Sequence, residues 1–245
     1  MVHERAHSLT DVNWCSAAAL ALMAPILAWG QALQPPEALD QYLAQQRSER
    51  PACSDSVFTV RIDASLPALK RRGTMTGFKR VVQPGQIVYR GVRFTGDNLV
   101  KTQVIARFLA RETKPQPQAG DISVTLLNYN FAFARVSKYN GLTAYVFLLK
   151  PRRKWAGLFR GELWLDAETA APLRLWGDLV KSPWIFVRDF RFVQDYQMVR
   201  GCSEPLRLLL TTHTLVAGGV EMTVWLQPVF EETEATDTMG VHGDG

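Results

Sequence analysis

From Val57 onward, polar and apolar residues alternate along the chain. In residues 57–64, Phe58, Val60, Ile62 and Ala64 fall on one side and Thr59, Arg61 and Asp63 on the other. That is the period of two expected of a strand dry on one face. Residues 74–82 form a poorer strand containing Gly77, 83–86 (Gln-Pro-Gly-Gln) a turn, and 87–95 a second alternating run, together predicting a hairpin. Further strands are expected over 122–127, 131–138, 143–149, 161–166, 173–178, 184–196, 206–215 and 220–228. Asn140-Gly141 and Gly218-Gly219 are hairpin-turn dipeptides. Strands joined by turns this short must pair antiparallel, because parallel neighbours need a long crossover.

The period changes to that of a helix in two places. Over 36–50, Leu39, Tyr42 and Leu43 share one face, and Pro51 ends the segment. Over 98–112, Val100, Val104, Ile105, Phe108 and Leu109 form one stripe, with Asp97 positioned to cap it. Lys101 falls within that stripe by angle, a flaw unless its stem reaches outward. The proline-rich 114–120 cannot join a sheet. The fold expected is mainly β with one or two helices (α+β): a large curved antiparallel sheet, an open half-barrel covered by helices on its concave side.

One apolar run does not fit this rhythm. Residues 16–30 (SAAALALMAPILAWG) are uncharged, too short and too rich in alanine for a comfortable membrane span, and are followed by small-x-small sites around Gly30 and Ala32. Residues 1–32 therefore read as a signal peptide, although Glu4 and Asp11 dilute the charge of Arg5; the alternative is an uncleaved anchor or a buried helix. Cys15 precedes the run, which argues against a lipid anchor at the cleavage point. Export leaves Cys53 and Cys202, and an oxidising compartment favours a bridge between them. Closing a loop of that length stabilises by up to ~5 kcal/mol in the chain-entropy account. Two unrelated buried thiols are the other reading.

Charge is uneven. Residues 33–230 carry 27 basic and 16 acidic side chains, whereas 231–245 carry five acids and no Lys or Arg. The acidic end reads as a disordered tail. The basic body suits anionic partners such as lipid headgroups or acidic proteins, or simply solubility. Export and the lack of any helix-turn-helix or RNP-type pattern argue against nucleic acid.

Candidate chemistry is sparse. Of four histidines, His3 and His7 leave with the signal, His242 lies in the tail, and His213 alone belongs to the fold. No CxxC, GxSxG, HExxH, GxGxxG or P-loop occurs. Neither a metal nor a cofactor is expected, nor is an enzyme, although two carboxylates on different strands could converge. Aromatics say more. Phe186, Phe190 and Phe192 share one face of the 184–196 strand, and Trp164 lies opposite Leu163 and Leu165. These four are the candidate lining of an apolar cavity, against the plainer reading of core packing. The turn 150–155 (Lys-Pro-Arg-Arg-Lys-Trp) sets Arg152, Arg153 and Lys154 beside an aromatic, as a headgroup or membrane contact would, or as a solvated hairpin tip would.

The stretch 128–196 carries a recognisable series: Asn128-Tyr-Asn-Phe131, Asn140-Gly141, Ala144-Tyr-Val-Phe-Leu-Leu-Lys-Pro151, Arg152-Arg153-Lys154, Phe159-Arg-Gly-Glu-Leu-Trp-Leu-Asp166, Pro172-Leu-Arg174, Lys181-Ser-Pro183 and Asp195-Tyr196. With Asp97 to Phe108, it resembles the outer-membrane lipoprotein-sorting superfamily, the LolA-like and LolB-like proteins with their MucB/RseB relatives, in an uncharacterised periplasmic branch. The resemblance covers roughly residues 57–229. It implies an open β-barrel over 33–230 whose helices lid a hydrophobic cavity, a cavity that relatives use for acyl chains of lipoproteins or other lipids. It implies no catalytic residue. The chain departs from the pattern at Cys202-Ser-Glu-Pro205, which suggests a tie to Cys53 there. The expectation is a periplasmic, non-catalytic carrier or sensor of lipid or lipoprotein acyl chains that touches a membrane or another envelope protein transiently. The alternative is an envelope protein–protein interaction module with a packed interior.

Overall fold

The computed structural model describes residues 32–47, 57–83, 86–113, 122–181, 187–214 and 218–229. Residues 1–31 of the expected signal peptide, Cys53, Phe186 and the acidic tail lie outside the described residues. No described helix is long and apolar enough to cross a membrane.

Helix α1 spans Pro35–Arg47. Its start is written in the sequence: proline opens the first turn, and Gln34 N–H donates to Glu37 Oε2 at 3.0 Å, the return half of a capping box. After α1 come β1 (Val57–Leu66), β2 (Arg71–Gln83) and β3 (Gln86–Gly96). Asp97 then caps the next helix as expected, its Oδ1 accepting from Leu99 N–H at 2.9 Å and Val100 N–H at 3.2 Å. This helix opens with a π-helical segment, Val100–Ile105, and continues as α2, Ala106–Glu112. The wider turn rephases the stripe. Val100 and Ile105 are fully buried, and Val104, Phe108 and Leu109 pack at the margin. Gly73 of β2 admits the helix: a Cβ there would lie 3.1 Å from a Val100 methyl.

Seven more strands follow: β4 (Tyr129–Tyr139), β5 (Leu142–Pro151), β6 (Phe159–Asp166), β7 (Pro172–Leu179), β8 (Val187–Val199), β9 (Cys202–Thr214) and β10 (Gly218–Val229). Residues 122–127 do not form the expected strand. They fold as turns, because Ser123, Thr125 and Asn128 bond locally: Asn128 Nδ2 donates to Ser123 O at 2.9 Å, and Tyr129 N–H to Thr125 O at 2.9 Å.

All ten strands belong to one antiparallel sheet, in the order β3-β2-β1-β10-β9-β8-β7-β6-β5-β4. The order follows the chain as a meander, with β1 paired to β10. The sheet stays open between β3 and β4, the two strands separated in sequence by the helix and the proline-rich connection. Two cores form on its inner face. One gathers Ala38, Tyr42 and Leu43 of α1 against Tyr145, Phe147, Leu149, Phe159, Leu163 and Leu165. The other gathers Val100 and Ile105 against Phe58, Val60, Ile62, Met75, Val224 and Leu226. Tyr145 O–H, donating to Leu33 O at 2.5 Å, and Leu33 N–H, donating to Ala167 O at 2.8 Å, fasten the chain entering α1.

Gly161 and Gly177 face each other across β6 and β7. A Cβ on Gly161 would lie 1.8 Å from Trp176 O, an approach that only backbone movement could relieve. Gly161→Ala is expected to cost about 3 kcal/mol or more, at the upper end of overpacking. The check is the urea midpoint; an unchanged midpoint would refute the close approach.

Candidate functional site

Directly paired residues share a face, so the registers trace the inner surface of the sheet strand by strand. One row runs Phe131–Leu149–Gly161–Gly177–Phe192–Leu210–Met222–Ala64 from β4 to β1. Its two ends lie under the helix-covered cores. Its middle, on β7, β8 and β9, lies between them. There Leu175, Leu179, Phe190, Phe192 and Leu208 are only half-buried. Phe192 packs against both cores. Its ring meets Phe159 edge-on, with centroids 4.9 Å apart. Phe159 in turn lies over Gly177, where a Cβ would sit 2.4 Å from its ring. The glycine thus sets how far Phe159 sinks, and Phe159 how Phe192 stands. The result is an apolar strip flanked by two helical covers.

The α1 end of this face is polar but uncharged. Burial raises the Tyr129 and Tyr196 hydroxyls to about 12 and pushes Tyr42 higher still, so all three stay protonated at neutral pH. Tyr42 O accepts from Gln46 Nε2 at 2.8 Å. At the other end, Glu112 of α2 accepts from Lys79 Nζ at 2.7 Å and from the Tyr89 hydroxyl, tying the helix to β2 and β3.

The outer face is different. Here the row runs Arg135–Val146–Trp164–Arg174–Asp195–Arg207–Trp225–Arg61. Arg135 stacks 5.4 Å from the Trp164 ring and Arg207 5.2 Å from the Trp225 ring. Asp195, 2% exposed, holds the middle. It accepts from Arg174 Nε at 2.7 Å, Arg207 Nη2 at 2.6 Å and the Tyr139 hydroxyl at 2.9 Å. Desolvation raises its pKa, but these donors outweigh that and hold the carboxyl below its ordinary value. Glu162 behaves alike: burial is outweighed by Arg135, bidentate, and by the indole N–H groups of Trp176 and Trp164, 3.0 and 2.9 Å from Oε2.

The structure therefore does not bring the four predicted cavity residues together. Phe190 and Phe192 belong to the inner strip. Trp164 sits on the outer face, because Leu163 and Leu165 take the inner one and a strand alternates. Phe186 lies outside the described residues. Sequence reading missed Leu175, Leu179 and Leu208, whose alternation is ordinary and whose partial exposure depends on where the helices end. Arg152, Arg153 and Lys154 are exposed in the β5–β6 connection, with the Arg153 guanidinium 3.5 Å from the centre of the Trp155 ring. Cys202 is disulfide-bonded and begins β9, while Cys53 lies outside the described residues. Among the described residues, no three His, Cys, Asp or Glu side chains gather as metal ligands would, and His213 is exposed on β9.

No protein-family model matches this chain, and no curated protein matches it. Solved structures do. A LolA superfamily protein from Nitrosomonas europaea is 14% identical over 80% of this chain and 92% of its own, with a TM-score of 0.39. An outer membrane lipoprotein-sorting protein domain from Vibrio parahaemolyticus is 14% identical over 82% and 96%, with a TM-score of 0.45. The MucA/MucB complex from Pseudomonas aeruginosa is 11% identical over 80% and 94%, with a TM-score of 0.25. These are the groups that the sequence motifs resemble. At such identities and scores the likeness carries no functional argument.

The depressed pKa values of Asp195 and Glu162 make a pH prediction. A carboxyl whose folded pKa lies below its unfolded value, about 4, stabilises the fold above that pH and stops doing so as pH falls through the folded value. The urea midpoint should therefore drop as pH falls below about 4. Asp195→Asn should flatten that dependence. At neutral pH it should cost on the order of 2 kcal/mol, less than a fully buried pair because both guanidiniums remain near one-third exposed. A variant whose midpoint tracks the parent at every pH would refute the role given to Asp195.

Proposed function

We propose that this chain is a periplasmic, non-catalytic carrier or sensor that holds the acyl chain of a lipid or lipoprotein along the inner strip of its sheet. The observation that carries the reading is the half-buried row on β7–β9 between two separately covered cores, with Phe192 touching both. A fully packed sandwich would bury these side chains. Covering them with an acyl chain gains about 0.8 kcal/mol for each methylene removed from water. The described side chains of the strip are aliphatic, aromatic or amide, which suits an acyl chain. The motif resemblance over 128–196 and the export signal read in residues 1–32 point the same way. Cys202 suits an oxidising compartment, and its tie to Cys53 belongs to this proposal.

Native mass spectrometry of the protein purified from envelope extracts without detergent provides the test. The expected result is a lipid or acylated adduct, together with saturable binding of a fluorescent fatty acid. Phe192→Asp places a carboxylate in the strip and should weaken probe binding about tenfold or more with circular dichroism unchanged. A bare mass and no probe binding would favour the interaction module instead. Unchanged binding by Phe192→Asp would remove the strip as the site.

A further inference from the structure

A second surface stands out by its exposed apolar side chains. Leu127 is 85% exposed, Leu126 and Trp155 each 48%, and Ile122 39%. All four lie in two neighbouring connections, 122–128 before β4 and 152–158 between β5 and β6. The two are held as one unit. Arg152 N–H donates to Asn128 O at 2.8 Å, and Arg153 Nη2 to Asn128 Oδ1 at 3.2 Å. The Asn128 side chain, 1% exposed, donates in turn to Ser123 O at 2.9 Å. Ile122 packs on Gly157, where a Cβ would lie 3.1 Å from its methyl. Val180 N–H, donating to Leu158 O at 2.9 Å, adds the end of β7. The leucines are thus presented by a braced tip.

Among the described residues of this tip the charge has one sign, with Asp121 next to it in sequence. Lys150, Arg152, Arg153, Lys154 and Lys181 are exposed there, and no Asp or Glu occurs in 122–130, 150–158 or 180–181. None of these cations forms an ion pair with a described carboxylate. The Arg153 guanidinium stacks on Trp155, which keeps the aromatic ring among the charges. Exposed aliphatic side chains gathered with a tryptophan and long basic side chains are the residue types that a bilayer–water interface favours. Charges favour an anionic surface, and the apolar apex supplies the second signal that lasting attachment needs.

We infer that this tip docks the protein on an anionic phospholipid surface, inserting Leu126, Leu127 and Trp155 while Arg152, Arg153, Lys154, Lys150 and Lys181 meet the phosphates. It extends the carrier reading and rests on it for its purpose. The tip stands at the end of the sheet where β7 finishes and β8 begins, the end at which Leu179 and Phe190 terminate the apolar strip. A docked molecule would hold that end of the strip toward the bilayer.

Cosedimentation tests the docking. The full chain should sediment with vesicles of phosphatidylethanolamine and phosphatidylglycerol in equal parts, stay in solution with pure phosphatidylcholine, and lose the vesicles as salt rises. Leu127→Asp should lower vesicle binding about tenfold with the fold intact, since Leu127 is already in solvent. The triple reversal Arg152→Glu, Arg153→Glu, Lys154→Glu should abolish it. Phe192→Asp, which attacks the strip, should leave docking unchanged, so the two proposals fail separately. Absence of the parent from the anionic vesicle pellet, equal binding to phosphatidylcholine, or parental binding by Leu127→Asp would each overturn the docking.

Discussion

The ladder between β1 and β10 joins the first strand of the sheet to the last along its register from Val57 with Val229 to Ser65 with Glu221. Without it the chain would be two separate meanders, β1–β3 and β4–β10, each with an additional bare edge. With it, the second helix lies over β1 and β2 while α1 lies over β5 and β6, both on the same face of one continuous sheet. The long sequence separation makes this pairing costly to close and slow to form. Apolar alternation on both strands offsets that cost: Phe58, Val60, Ile62 and Ala64 meet Met222, Val224 and Leu226 on the inner side.

One sheet with two short covers leaves a middle. Neither helix spans all ten strands, so the inner face of β7–β9 is sheltered without being sealed. The same register that creates this strip stiffens it from behind. Asp195 and Glu162 collect arginine and indole donors on the outer face of β6–β9, under the strands that bear Phe192 and Leu208 on the inner face. A polar, cross-linked outer surface lets the outer face itself hold the sheet's curvature where the inner face is only half-filled. The paired glycines at 161 and 177 work to the same end, letting β6 and β7 approach and letting Phe159 sink onto the backbone.

Much of this was legible residue by residue. The period of two places all ten strands, and the helical spacing of apolar residues, with Asp97 as a cap for the second, places both helices. Residues 122–127 alternate well enough for a strand, but their backbone groups pair within the segment and the Asn128 side chain donates to Ser123 O, so the segment turns and becomes part of an exposed tip. Alternation sets Trp164 opposite Leu163 and Leu165 but does not separate it from Phe190 and Phe192. Alternation says which residues share a face; it does not say which face of one strand continues which face of another. That required the registers linking Trp164 to Arg174 and Asp195, and Gly161 to Gly177 and Phe192.

Local chemistry in the sequence determined the kinds of element, their turns, their caps and the division of each strand into a dry and a wet side, because those depend on neighbours within a few residues. The partnership of β1 with β10, the opening between β3 and β4, the half-covered strip and the gathering of Leu127, Trp155 and Arg153 at one tip were decided only in the tertiary structure. Each depends on bringing together residues tens of positions apart, and the alternation that marks a strand is the same whichever partner it takes.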